Sequence, residues 1–349
     1  MKKKNIAVIF GGKSGEHEVS ISSARGIIKN LDNKKYNIIP VAILKTGEWL
    51  THQAAQEYLI SDIKSYNGEK KKISWNGFSD FVRDSHKIDF VFPITHGSFG
   101  EDGKLQGLLD MLGLPYLFSG CLASAVAMDK SKTKIILKNA GVPVLEDVII
   151  NKQEEINLNK IIKKLNFPIV VKPLELGSSV GISIAKTKKD LKTGINKAFQ
   201  YGERVMLEKF ARGKEFTVSV MGRKELVALS IIEIIPKISE FYDYKAKYKT
   251  GGSKHVCPAR ISKKIKSELE KYAIKAFREI GCRDLARADF IIEEESGKIY
   301  FIEINTIPGM TSTSLAPEAA REVGMDFGNF LDKLINKYEI QTRRKKNKK

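Results

Sequence analysis

The chain has 349 residues, 42% of them hydrophobic and 29% charged, with a formal net charge of +19. That length and apolar content bury a full core and suit two or three domains, which excludes disorder for most of the chain. No apolar run of about 18 residues is present, and the start MKKKNIAVIFGGKSGEH lacks the apolar stretch and cleavage site of a secretory leader, so a soluble, cytoplasmic protein with no membrane partner is expected.

Ile6 to Phe10 reads as a short apolar strand running into GGKSGEHEVS and then a helix from near Ser20. This is a βα unit with a Gly-rich turn, where open α/β sheets place ligands. Neither a P-loop nor a G-x-G-x-x-G fingerprint is complete here, so Gly11 and Gly12 indicate a tight turn, with Glu16 at its mouth placed to touch a small ligand. Ile38 to Leu44 and Ile88 to Ile94 read as further strands of the same sheet, separated by a polar stretch, Ser61 to Lys87, that carries no recognisable chemistry. The third strand ends in THGSFGEDGKLQG, which combines His96, Glu101 and Asp102 with glycines; His96 is read either as a hydrogen-bonded structural residue or as a catalytic one.

MDKSKTKIILKNAGVPV predicts a helix capped by Asp129, carrying Lys130 and Lys134 and stopped by Gly141 before Pro143. FPIVVKPLELGSSVGISIAK then reads as strand, Gly-rich loop, strand. Its glycines, Ser178 and Ser179 offer the donors of a phosphate cradle, with Lys172 just before them as a point charge; the plainer reading is a flexible hairpin tip. Next, Glu208, Lys209 and Phe210 end one strand and Glu215 opens another, a connector able to meet a purine and a ribose. FYDYKAKY follows with Phe241, Lys247 and Tyr248.

A helix from about Ser262 to Ile280 leads to ARADFIIEEESGKIYFIEIN, two strand-length apolar runs joined by a turn at Ser296-Gly297. Side chains alternate along strands, so Arg287 and Asp289 share a face, as do Glu303 and Asn305, and a turn centred on Ser296 sets Asp289 opposite Glu303. Oxygen ligands without His or Cys point to Mg²⁺ or Mn²⁺ with phosphate and water completing the shell, hence a nucleotide triphosphate site. The alternative is a solvated face with a salt bridge to Arg287. A last helix is predicted from about Pro317 to Tyr338, and the basic residues 339–349 are read as a solvated, disordered tail.

Cys121, Cys257 and Cys282 fit no metal or redox spacing and are read as packing residues of a reduced compartment. The positive charge is spread mainly as Lys without interleaved aromatics, so no specific nucleic acid is expected; a polyanion-binding protein is the alternative from a different class.

The blocks GGKSGEHEVS, HGSFGEDGKLQG, MDKSKTK, VKPLELGSSVGIS, EKFARGKEFTV, FYDYKAKY, RADF and EINTIPGMTSTSL, in that order, resemble the D-alanine:D-alanine ligases of the ATP-grasp superfamily from about Ile6 to Lys337. The resemblance implies an α/β and α+β protein: an N-terminal open parallel-sheet domain (1–118) followed by a two-domain ATP-grasp, central (119–211) and C-terminal (212–338). It implies ATP as substrate, two Mg²⁺ or Mn²⁺ held by Asp289, Glu303 and Asn305, and ligation of two D-alanines through a D-alanyl phosphate for peptidoglycan precursors.

By the same resemblance, Lys130 and Lys172 hold the α and β phosphates, and Lys247 and Ser179 the γ-phosphate. Glu208, Lys209, Phe210, Glu215 and Phe241 surround adenine and ribose. Arg287 and the Gly309 N–H stabilise the oxyanion, Glu16 binds the first ammonium with His96 nearby, and Ser314 with Leu315 takes the second carboxylate. A network of Glu16, Ser178 and Tyr248 locks a loop over the site, and Tyr248 accompanies D-alanine as second substrate where the ligases that make D-alanyl-D-lactate depart from it; an ATP-grasp ligase with D-lactate or D-serine as second substrate is the alternative. Lys245 stands where many relatives have an acid. The family also implies a homodimer.

Overall fold

The computed structural model describes residues 3–61, 76–177, 180–237 and 251–346. Its first sheet holds β1 (Lys4–Gly11), β2 (Tyr36–Ile43), β3 (Trp49–Leu50) and β4 (Phe90–Pro93) in the order β3-β2-β1-β4. β1 pairs in parallel with both β2 and β4, and only β3 is antiparallel. The central β1 is apolar throughout because both of its faces are covered: Ile6, Val8 and Phe10 enter one core, Ala7 and Ile9 another. Helices α1 (His17–Asn30), α2 (His52–Ile60), α3 (Asn76–Asp84) and α4 (Lys104–Met111) accompany this sheet.

With β2 on one side of β1 and β4 on the other, the strand order reverses at β1, and the crevice at the carboxyl ends of β1 and β4 is the ligand position of such a sheet. Its rim is built tightly. Gly11 has φ +88°, and a Cβ there would lie 2.2 Å from the Ile43 carbonyl, so no other residue fits the turn. Ser20 Oγ accepts from Gly11 N at 2.8 Å and donates to the Ile94 carbonyl at 2.6 Å, tying the two strand ends together. α1 begins at His17, earlier than expected, because the His17 ring reaches back to the Gly12 carbonyl (2.7 Å) and across to Tyr58 Oη (2.7 Å).

α5 (Cys121–Met128) and α6 (Lys130–Asn139) meet at Asp129, whose side chain accepts from Ser131 N and Lys132 N, the expected cap. The second sheet holds β5 (Asp147–Asn151), β6 (Ile169–Pro173), β7 (Ser183–Ala185) and β8 (Arg204–Lys209) in the antiparallel order β5-β8-β6-β7. α7 (Leu158–Leu165) and α8 (Lys188–Ala198) share its core through Ile161, Leu165, Leu191 and Ile195.

The third sheet is antiparallel, in the order β12-β11-β9-β13-β14 with β10 on β9. It comprises β9 (Gly213–Gly222), β10 (Leu226–Ala228), β11 (Ile232–Pro236), β12 (Ser253–Val256), β13 (Asp284–Glu293) and β14 (Ile299–Asn305). Helix α9 (Lys263–Glu279), capped by Ser262, packs on it through Leu269, Ala273 and Phe277. α5 and α6, expected to open the central unit, pack instead on this third core through Ala123, Ala127 and Leu137, and Phe301 N binds the Pro143 carbonyl at 2.9 Å. Their apolar faces are satisfied by α9 and β14, not by the second sheet.

The last predicted helix is two: α10 (Leu315–Glu322) and α11 (Phe327–Lys346). Gly324 at φ +82° breaks them, and Asp326 Oδ1 accepts from Asn329 N at 2.8 Å, at the start of the second. α11 continues through Lys346 into the segment expected as a disordered tail, since no Gly or Pro after Gly328 stops it. Both helices bury Leu315, Ala319, Phe330, Leu331 and Leu334 in the same core as β1 and α1.

Candidate active site

Between the second and third sheets lies a cavity of about 350 Å³ with apolar walls from Val170, Ile184, Phe210 and Ile302. The pairing of β6 with β8 sets Val170 opposite Glu208 and Lys172 opposite Met206, so Glu208 and Lys172 share the sheet face turned to the cavity. The other face carries the core residues Val171, Val205 and Leu207. Both ionic side chains are buried, and both line the cavity with Lys130, Lys209 and Glu215.

Glu208 accepts from Lys134 Nζ on one oxygen and Lys172 Nζ on the other, each at 2.6 Å. Burial raises its pKa more than any other single influence, but the charges of Lys172 and Lys134 together outweigh it and hold the carboxyl below its ordinary value. Lys130 Nζ donates to the Leu176 carbonyl at 2.6 Å, at the start of the Gly-rich loop.

Asp289 and Glu303 close the far end of this cavity. The hairpin register is the expected one, Asp289 opposite Glu303 and Arg287 opposite Asn305, with an irregularity just after Asp289. Both Asp289 oxygens are engaged: Arg287 donates to each at 2.9 Å, Thr217 Oγ1 to one at 2.5 Å, and Asn305 Nδ2 to the other at 3.2 Å. The ion pair of the plainer expectation therefore exists, but its side chains are only 12% and 16% exposed at a cavity wall. Among the described residues no group of three or more His, Cys, Asp or Glu side chains forms a metal cage. Two carboxylates and a carboxamide on one face instead suit Mg²⁺, which takes few protein ligands and completes its shell with phosphate and water.

A second cavity of about 490 Å³ lies beyond Arg287 and Asn305, bounded by Glu16, Glu101, Gly177, Gly309, Ser314 and Leu315. A narrow space of about 20 Å³, lined by Lys130, Gly177, Glu303 and Asn305, adjoins both. A Cβ on Gly97 or Gly177 would lie 3.2 or 3.4 Å from Glu16 Oε2, so the rim of the first sheet and the Gly-rich loop close on that carboxylate. At the other end, Ser314 is the N-cap of α10 without a side-chain capping bond, leaving first-turn N–H groups for an anion. Ser314 Oγ accepts from Thr311 N at 3.0 Å.

His96 does not line either cavity. It is buried behind Glu101, with Nδ1 3.1 Å from the Ile307 carbonyl and 3.8 Å from Glu101 Oε2. Burial lowers its pKa, but Glu101 and Glu16 outweigh this and raise it; burial together with Glu16 and Glu303 raises that of Glu101. Its geometry orients Glu101, which borders the second cavity and the narrow space and which the sequence left without a role. His255, on β12, also lines the second cavity and binds Glu318 of α10 at 2.8 Å, a contact no local motif announces. Ser178, Ser179, Phe241, Lys247 and Tyr248, and Lys245 with them, lie outside the described residues.

Residues 5–121 match the family model "D-ala D-ala ligase N-terminus" and residues 136–336 "D-ala D-ala ligase C-terminus". A D-alanine–D-alanine ligase of Natranaerobius thermophilus is 41% identical, the alignment covering 96% of this chain and 94% of the relative. The D-alanine–D-alanine ligase of Bacillus anthracis complexed with ATP superposes with a TM-score of 0.77 at 29% identity, over 98% of this chain and 99% of that one. The VanG D-Ala:D-Ser ligase of Enterococcus faecalis gives 0.80 at 32% identity, over 97% and 100%. Two joined cavities, one lined by lysines and acids and one ending at a helix N-terminus, thus sit in a chain that belongs to the D-alanine–D-alanine ligase family.

Proposed function

We propose that this chain joins two D-alanine molecules to D-alanyl-D-alanine with conversion of ATP to ADP and phosphate. The observation that supports it best is the placement of Asp289, Glu303 and Asn305 between a nucleotide-sized apolar slot and a cavity bounded at one end by Glu16 and at the other by Ser314 and Leu315.

Adenine lies in the slot against Val170 and Phe210, with Glu208, Lys209 and Glu215 at its polar edge and ribose. Lys130 and Lys172 face the phosphates. Asp289, Glu303 and Asn305 hold Mg²⁺ or Mn²⁺, which supplies charge neutralisation for the phosphoryl group. Glu16 takes the ammonium of the first D-alanine, whose carboxylate oxygen attacks the γ-phosphorus. The bond to ADP breaks and a D-alanyl phosphate forms.

The amine of the second D-alanine, its carboxylate at Ser314 and the Leu315 N–H, then attacks the acyl carbon. The ammonium gives one proton to solvent as it enters; a C–N bond then forms, and phosphate leaves with its electron pair and takes the second proton. Arg287 and the Gly309 N–H stabilise the tetrahedral oxyanion, donors commonly worth about 3 to 4 kcal/mol each. Removing water from the joined cavities protects the acyl phosphate.

The test is ADP release with D-alanine, D-lactate and D-serine supplied as acceptors. Mg²⁺-dependent ADP and dipeptide from D-alanine alone are expected, and the absence of both would end the reading. The likeness to the VanG ligase makes D-serine the second reading, which the same assay decides. The product serves peptidoglycan precursor synthesis in the cytoplasm, and the enzyme works as a homodimer. Among the described residues no helix is long and apolar enough to cross a membrane. The chain forms three units near 1–118, 119–211 and 212–338, with α5 and α6 of the middle segment packed on the third.

A further inference from the structure

Lys134 does not line the nucleotide cavity. It stands beside Glu208, buried between α6 and the second sheet, with Nζ 2.6 Å from Glu208 Oε1 and 2.6 Å from Asp147 Oδ1, the residue opposite Glu208 on β5. The other oxygen of Glu208 takes Lys172 at 2.6 Å. Asp147, Lys134, Glu208 and Lys172 thus form a line of alternating charge with no net excess. Its two lysines differ in what they are free to do. Lys172 borders the cavity, whereas Lys134 is pinned from both sides by carboxylates away from it. When Lys172 turns to a phosphate it withdraws its charge from Glu208, and a buried carboxylate left with no cation takes up a proton.

We propose that Lys134 is the positioning residue that keeps Glu208 an anionic acceptor while Lys172 serves the phosphates, and that it thereby sets the preference for 6-amino over 6-oxo purine nucleotides. The inference rests on the roles proposed above for Glu208 and Lys172. An ionised carboxylate only accepts hydrogen bonds. It therefore welcomes the amino group of adenine and repels the carbonyl of hypoxanthine, a distinction that a protonated Glu208, or one locked to Lys172, loses. Pairing Glu208 from the β5 side also explains why a buried lysine should bridge two strands, β5 and β8, that are already joined by their backbones.

The test is calorimetric binding of ADP and IDP, with Mg²⁺ present, to the wild type and to Lys134→Met, Lys134→Arg, Asp147→Asn and Glu208→Gln. Lys134→Met is expected to weaken ADP by about tenfold or more and to cut the ADP-over-IDP preference by a similar factor, with Lys134→Arg restoring most of both. Unchanged preference in Lys134→Met overturns the inference. Should that variant fail to fold, Asp147→Asn decides: it loosens Lys134 without removing it, so a partial loss of preference supports the role and wild-type preference overturns it. Glu208→Gln separates the two levels. If its preference equals the wild type's, the adenine assignment itself is wrong; if it loses preference while Lys134→Met does not, only the role of Lys134 fails.

Discussion

Arg287 and Asp289, two positions apart on one face of β13, clasp each other through two hydrogen bonds of 2.9 Å, Nε to Oδ1 and a terminal nitrogen to Oδ2. The acid expected to hold metal is therefore neutralised by the cation expected to meet the oxyanion, and each is kept in place for the other. Arg287→Lys retains the charge but not the two-pronged grip. It is expected to leave the melting temperature nearly unchanged and to lower kcat/KM for D-alanine by about 10²-fold. Steady-state ADP release measures it, and an unaltered kcat/KM would remove Arg287 from the reaction.

Glu303 faces Asp289 across the hairpin, and Glu303→Gln keeps its shape and register. Chemical denaturation should give the wild-type midpoint, while turnover at saturating Mg²⁺ falls by about 10²-fold or more because an anionic ligand becomes a neutral one. Wild-type turnover in this variant would place the metal elsewhere.

Gly309 sits against the N-cap of α10: a Cβ there would lie 2.9 Å from Ser314 Oγ. In Gly309→Ala the hydroxyl must rotate away from Thr311 N, disturbing the seat expected for the second substrate. The acceptor KM for D-alanine is expected to rise by about tenfold, with smaller changes in the KM for ATP. Equal effects on both constants would place the loop outside the acceptor site.

The fold favours the neutral imidazole of His17. Burial, the largest influence, lowers its pKa despite the hydrogen bond to the Gly12 carbonyl. If Nδ1 donates to that carbonyl, Nε2 is left to accept from Tyr58 Oη. The unfolded chain binds a proton below about pH 6.5 more readily than the folded one does. The contribution of this site is therefore complete above that value and is lost as pH falls below it toward the folded pKa, with a slope of at most about 1.4 kcal/mol per pH unit. Urea denaturation at pH 7.5 and 5.5 should show a smaller pH-dependent loss in His17→Gln than in the wild type; equal losses would show that His17 does not titrate in this window.

The hairpin was legible because both of its strands alternate and Ser296-Gly297 can only be a turn, so one register follows from counting. Asp129 and Ser262 announced their helices through side-chain oxygens placed before good helix formers. Glu208 and Lys172 were legible as candidates, and both line the cavity, but their ion pair was not, since nothing local reports that β6 lies beside β8. The same blindness hid Lys134, His255 and the His17–Tyr58 contact, all made between elements distant in sequence. The stop at Gly324 and the restart at Asp326 were written in EVGMD, yet the apolar period on either side suggested one continuous helix. The helical faces of α5 and α6 demanded burial without saying against which sheet.

One core holds Ile6, Val8 and Phe10 of β1 together with Phe330, Leu331 and Leu334 of α11, and Ser23 Oγ accepts from Met310 N at 3.2 Å. β1 is thus completed by a helix made long after it on the ribosome. β1 and α1 emerge with an apolar flank that stays uncovered until α11 has been synthesised, a window in which such surfaces aggregate or recruit chaperones. The seat proposed for the second amino acid, at Ser314 and Leu315, opens the helix that enters this same core, so β1 would acquire its missing flank and the proposed site its acceptor end in one docking event.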